Sequence, residues 1–254
     1  MSIASARRIM IALTEVGRAR ENILQRIEAA KLRRSAELPN IEPRLVAVSK
    51  TKPVNLIIDA FESGQTHFGE NYVQELERKA NDEELLKATK GQIKWHFIGH
   101  LQSNKCKKLA AIPNLDTVET VDSKKLADCL NKAWESAGKL EQLNIMVQVN
   151  TSQEENKSGC PPDDCVTIVD HVLKRCKKLN FVGLMTIGQL GRHDADSNPD
   201  FRLLSECRKT VSDKMGIPID ALELSMGMSQ DFEHAIEMGS TSVRVGSAIF
   251  GSRP

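Results

Sequence analysis

From residue 44 onward, short apolar runs alternate with longer amphipathic stretches. The runs are RLVAVSK (44–50), THFGEN (66–71), KWHFIG (94–99), LDTVETV (115–121), NIMVQVN (144–150), FVGLMTI (181–187), LELSMGM (222–228) and SVRVGSAIFG (242–251). Their length and near-continuous hydrophobicity predict strands buried on both faces, as in a parallel sheet. Between them NLIIDAFESG, YVQELERKA, KKLADCLNKAWESAG and CVTIVDHVLKRCKK carry apolar positions at helical spacing. Ahead of the first run, Ile9, Leu13, Val16, Ile23, Leu24 and Ile27 form a helical stripe within 5–36, which ELPNIEP breaks with two prolines.

Strands that alternate with helices pair in parallel through crossovers. Eight such units in about 210 residues match a (β/α)8 barrel in count and size. A doubly wound open sheet would carry five to seven strands and a glycine-rich first turn. Here the first strand runs into SKTKP, with no Gly-x-Gly. No linker or low-complexity segment divides the chain, and LGRHDADSNPD (190–200) is its most loop-like stretch. The expectation is one domain over 1–254, a single (β/α)8 TIM barrel with an extra N-terminal helix and connector over 1–40.

Composition narrows the function. A net charge of +1 over 254 residues offers no basic surface for nucleic acid. No apolar run approaches the length that spans a bilayer, and no apolar h-region marks a secretory signal. Arg7 and Arg8 without an acid in the first fourteen residues resemble a mitochondrial presequence, but Glu15, Glu21 and Glu28 continue one amphipathic pattern, which favours a helix of the mature fold. The expected compartment is the cytoplasm, with a mitochondrial pool as the alternative. The six cysteines form no Cys-x-x-Cys pair and have no matched histidine spacing, so reduced thiols and no metal are expected.

Active sites of such barrels lie at the C-terminal ends of the strands. Those ends carry Lys50, Asn71, His96 to His100, Glu119 and Thr120, Asn150, Met185 and Thr186, Ser225 to Ser229, and Arg244, Gly246 and Ser247. SMGMSQDF and RVGSAIFG put small residues and the hydroxyls of Ser225, Ser229 and Ser247 after strands seven and eight, where barrel phosphate sites form. SQDFEHAI reads as a helix start, whose N–H groups favour anions. In LVAVSKTKP (45–53), alternation puts Lys50 and Lys52 on one side of an extended chain, facing that pocket. An amine and a phosphate site in one mouth suit pyridoxal phosphate, whose aldehyde condenses with a lysine; spacing alone leaves open which lysine. His96, His100 and Glu119 are the alternative metal or acid/base set, although strand histidines are more often satisfied core residues. Trp95 and Trp134 read as packing, and NKCKK (104–108) as a solvated helix face.

The motifs LVAVSKTKP, FGENYVQE, KWHFIGHLQSNK, VETVDS, VGLMTIG, ELSMGMSQDFEHAIEMGST and VRVGSAIFG, in this order from about residue 40 to 251, resemble the pyridoxal phosphate homeostasis protein family. The resemblance implies a barrel like the N-terminal domain of alanine racemase, the fold type III architecture. It implies that Lys50 forms the aldimine with pyridoxal 5′-phosphate and that Asn71 lines the cofactor. It places Ser225, Gly246 and Ser247 at the phosphate, Arg244 at the pyridine nitrogen, and Met185 and Met226 among the cofactor contacts. Lys52 and Lys157 match secondary lysines that hold or hand on the cofactor. The chain ends at FGSRP, where the family continues into a basic tail.

Two function classes follow. One is a monomeric carrier that stores the cofactor and delivers it to apo-enzymes. The other is an amino-acid racemase, which needs acid/base groups on both faces of the substrate carbon. The single tyrosine, Tyr72, opens a helix and cannot replace the β domain that supplies the second group in racemases of this kind. Arginine stays charged and only donates, so a pyridine nitrogen facing it stays unprotonated and the ring is a weak electron sink. The carrier reading is therefore preferred.

Overall fold

In β1 (Arg44–Val48), residues at alternate positions go to two different environments, and the other strands repeat the pattern. The computed structural model describes residues 14–154, 157–189 and 198–252. With β1 run β2 (His67–Glu70), β3 (Lys94–Phe97), β4 (Leu115–Val121), β5 (Leu143–Gln148), β6 (Leu179–Met185), β7 (Glu223–Met228) and β8 (Ser242–Val245). All neighbouring pairs are parallel, and β8 returns to β1 through Val46 opposite Arg244, so the sheet closes into an eight-stranded barrel in sequence order. The expected (β/α)8 architecture is what the chain adopts.

Leu45, Ala47, Phe68, Trp95, Phe97, Val118, Val147, Leu184, Leu224, Met226, Val243 and Val245 face outward into one continuous apolar layer beneath the helices. The opposite parity points inward, and there Val46 and Val48 stand beside polar His96, Glu119, Ser225 and Arg244. Burial of the outer layer holds helices to sheet. The interior column carries the chemistry.

The helices are α1 (Glu15–Leu32), α2 (Val54–Glu62), α3 (Val73–Ala80), α4 (Glu83–Thr89), α5 (Cys106–Ala110), α6 (Lys124–Ser136), α7 (Cys165–Arg175), α8 (Pro199–Met215), α9 (Phe232–Glu237) and α10 (Ser247–Phe250). Helix α1 begins after Thr14, whose hydroxyl accepts from Gly17 N. Val16, Ile23 and Ile27 are buried as the stripe requires, while Ile9 and Leu13 lie outside the described residues. The helix packs against α2, α9 and α10. It thus covers the seam beside β8, where α10 is too short to do so. Arg20 donates to Ser63 O (2.6 Å) just past α2, and Arg34 to Ser240 O (2.6 Å) just before β8, which satisfies carbonyls at both places.

Two readings change. The run 242–251 is not one strand: β8 ends at Val245, and Gly246 turns the chain into α10. A Cβ at Gly246 would lie 3.1 Å from Val48 O, tighter than ordinary contact, so glycine eases the close approach to β1. In LGRHDADSNPD the last two residues open α8, capped by the Asn198 side chain, and 190–197 lie outside the described residues.

Candidate functional site

At the C-terminal ends of the strands a cavity of about 470 Å³ opens. Val48, Lys50 and Lys52 line it from the end of β1, Asn71 from β2 and Ile98 from β3. Met185, Ile187 and Gln189 line it from β6, and Met228 to Asp231 from the turn after β7. Arg244, Gly246, Ser247 and Gly251 complete the wall. This size suits a small organic ligand. Residues from β2 and β3 meet there because Gly99 lets the two exits touch: a Cβ on it would fall 1.9 Å from Asn71 O.

Lys50 stands in a turn that is held on both sides. β1 stops at Val48, the Lys52 N–H donates to Ser49 O, and Thr51 adopts φ +62°, an unusual conformation for a β-branched residue. Both lysines therefore reach the cavity through a turn, and not through the extended alternation expected of them. The side chain of Lys79, fully buried on α3, donates to Ser49 O, Glu70 Oε1 and Glu75 Oε1, each at 2.7 Å. Ser49 Oγ donates to Glu70 Oε1 (2.7 Å), and the Thr51 N–H donates to Glu75 Oε1 (2.7 Å). Burial pushes the Glu70 carboxyl above its ordinary range, although Lys79 and Ser49 pull the other way. Such over-determination keeps a strained turn in place. The sequence carried one signal of it, Glu75 and Lys79 at helical i,i+4 spacing, which ordinarily marks a solvated pair.

The adjoining wall, at the ends of β7 and β8, offers hydroxyls and close backbone. Ser229 and Ser247 line it with Gly246, and Gly246 N donates to Ser229 Oγ (3.2 Å). The helix expected in SQDFEHAI starts at Phe232, but the Asp231 carboxylate already accepts from Met228 N (2.6 Å). Two expected cofactor contacts fall elsewhere. Met226 points outward into the apolar layer, because strand alternation opposes it to Ser225. Ser225 points inward but sits below the cavity wall, its hydroxyl donating to Glu119 Oε2 and accepting from Arg244 Nη1, both at 2.6 Å.

Arg244 forms part of the cavity lining, and its Nη2 donates to Thr186 O (2.8 Å). Burial lowers its pKa from the ordinary value, opposed by the charges of Glu119 and Asp231. Below it, Glu119 accepts from His96 Nδ1 (2.7 Å), and His96 Nε2 lies 2.8 Å from His67 Nδ1. The two rings share one hydrogen bond, and the other nitrogen of His96 is held by Glu119. His96 and Glu119 are thus satisfied interior groups, while His100 is exposed beside Ser158 (3.2 Å), so the three do not converge. Lys157 lines a separate cavity of about 200 Å³ with Asn150, Ser158 and Thr186, and donates to Gly188 O (2.9 Å).

The family model described as alanine racemase, N-terminal domain, matches residues 24–254. A human protein named pyridoxal phosphate homeostasis protein is 54% identical, over 94% of this chain and 86% of its own length. A crystal structure from Bifidobacterium adolescentis, described as an unknown protein, is 36% identical with TM-score 0.80, over 93% of this chain and 94% of that one. PipY of Synechococcus elongatus, solved with PLP bound, is 30% identical with TM-score 0.72 and covers 93% of this chain and 100% of its own. Sequence identity of this extent, along a barrel whose motifs stand in the same order, means that the chain belongs to the pyridoxal phosphate homeostasis protein family, on the alanine racemase N-terminal fold.

Proposed function

We propose that this protein binds pyridoxal 5′-phosphate covalently through Lys50, as a lysine imine, and acts as a carrier that delivers it to apo-enzymes. The observation that carries the reading is one cavity lined by Lys50, Arg244 and the Ser229–Gly246–Ser247 wall. These residues fit the group: an amine for the aldehyde, hydroxyl and backbone donors for the phosphate, and a donor-only cation for the ring nitrogen. Asn71 and Met185, on opposite sides of the cavity, would flank the ring. When bound, the cofactor supplies an electron sink that a facing arginine keeps weak. Lys52, whose Nζ donates to Ser252 O (2.6 Å), is placed to meet cofactor at the mouth.

The racemase alternative needs a second acid/base group facing Lys50, and the candidates in the lining, Lys52 and Asp231, are engaged with Ser252 O and Met228 N. No histidine or tyrosine lines the cavity among the described residues, and Tyr72 is 54% exposed outside it. Six free cysteines, five of them buried, support a reducing compartment such as the cytoplasm. No helix among the described residues is long and apolar enough to cross a membrane.

The test is an absorbance spectrum of the purified protein beside Lys50→Ala, before and after borohydride reduction. A yellow band in the wild type, absent from the variant and locked on by hydride, is the expected result. Added amino acids should leave their enantiomeric composition unchanged; interconversion would favour the racemase. A protein that takes up no cofactor would refute both.

A further inference from the structure

Below the cavity, four inward side chains from four strands form one hydrogen-bonded line: Arg244 (β8), Ser225 (β7), Glu119 (β4) and His96 (β3). Arg244 is 4% exposed and the other three are fully buried. Bulky branched residues ordinarily fill a barrel at this level, and a buried ionic chain loses solvation that they would not. Of the four, Arg244 alone lines the cavity, so whatever the line does for function passes through the guanidinium.

The Ser225 hydroxyl has one proton. It gives that proton to Glu119 and accepts from Arg244, a direction set by a carboxylate that can only accept. Burial alone would push the Glu119 carboxyl up, but His96, Arg244 and Ser225 outweigh it and hold the pKa below the ordinary range. The group is therefore an anion at neutral pH. With Nη1 held by Ser225 and Nη2 by Thr186 O, the plane of the guanidinium is determined.

We propose that Glu119, acting through Ser225, is a positioning residue for Arg244 and its buried counter-charge, setting how positive the site is toward the ring of a bound cofactor. This rests on the reading of the cavity as a pyridoxal phosphate site. Other charges face the same region. Asp231 acts on Arg244 from the turn after β7, and Lys50 and Lys52 share the cavity. Beyond His96 stand His67, Asp116, Lys94 and Arg44. Replacing Glu119 by its neutral isostere adds one net positive charge beside Arg244. Every protonation of the bound cofactor then becomes harder.

The test loads the full chain with pyridoxal phosphate and follows the visible band against pH in wild type, Glu119→Gln, Glu119→Asp and Ser225→Ala. Circular dichroism in that band reports whether the cofactor is held in one orientation. For Glu119→Gln the midpoint should fall by about one pH unit. Ser225→Ala should move it less and weaken the visible dichroism, and Glu119→Asp should stay near the wild type. Wild-type midpoint and dichroism in both Glu119→Gln and Ser225→Ala would overturn the proposal. If one of these fails to fold by far-ultraviolet dichroism, the other decides. A wild type that acquires no band refutes the cofactor reading itself, and this proposal with it.

Discussion

His67 hydrogen-bonds the lower end of the interior line and is held far from its ordinary titration. Burial first, then the charges of His96, Arg44 and Lys94, push its pKa from 6.5 down to about 3, against the pull of Asp116. The folded state thus prefers the neutral ring. Its contribution to stability is complete above pH 6.5 and is lost progressively as the pH falls from 6.5 toward 3. Glu119 has the same sign in a lower window, since a carboxyl depressed by its partners loses its contribution as pH falls below 4.5. Urea midpoints measured against pH should therefore decline from pH 6.5 downward. In His67→Gln, which keeps a hydrogen-bonding group toward His96, the decline between 6.5 and 4.5 should flatten and the carboxylate part below 4.5 should remain. An unchanged profile in the variant would place the pH sensitivity elsewhere.

At the scale of elements, α3 is attached to β1 and β2 by charge as well as by apolar packing. Lys79 is an uninterrupted part of the buried face that also carries Val73, Leu76 and Ala80. It meets Glu70, Glu75 and Ser49 O together. Removing one member of a buried ionic cluster leaves the others without a partner, which costs about 3–5 kcal/mol. Lys79→Met should lose that much in urea unfolding and should slow reaction of Lys50 with pyridoxal phosphate, because the Ser49–Thr51 turn loses its support. A stable variant with unchanged reaction rate would show that the turn holds itself.

For the whole molecule, the closed barrel provides a rigid rim, and the cavity draws on β1, β2, β3, β6, β7 and β8 at once. A ligand bridging these ends stabilises every strand pairing it spans. At a hundredfold excess over its dissociation constant, pyridoxal phosphate should add about 2.7 kcal/mol, roughly 5–10 °C in Tm for a chain of this size. Lys50→Ala should retain only the non-covalent part. A Tm that stays fixed while cofactor is bound would mean attachment to surface lysines.

Eight short apolar runs alternating with amphipathic stretches made the barrel legible, because strands buried on both faces pair in parallel through covering helices and eight such units close into a ring. Lys50, Asn71, Arg244, Gly246 and Ser247 were legible as neighbours because strand ends of a barrel share one rim, and all five line the cavity. Parity turned the Met226 side chain into the apolar layer, away from the cavity, and this could not be known until the register of β7 was. Burial of Lys79 and the meeting of Ser225 with Glu119, 106 positions apart, depend on contacts across the barrel that no local pattern encodes. Sequence periodicity specifies which face of a strand is apolar. Only the closed sheet decides which polar side chains meet inside it, since that depends on shear and register around the whole ring.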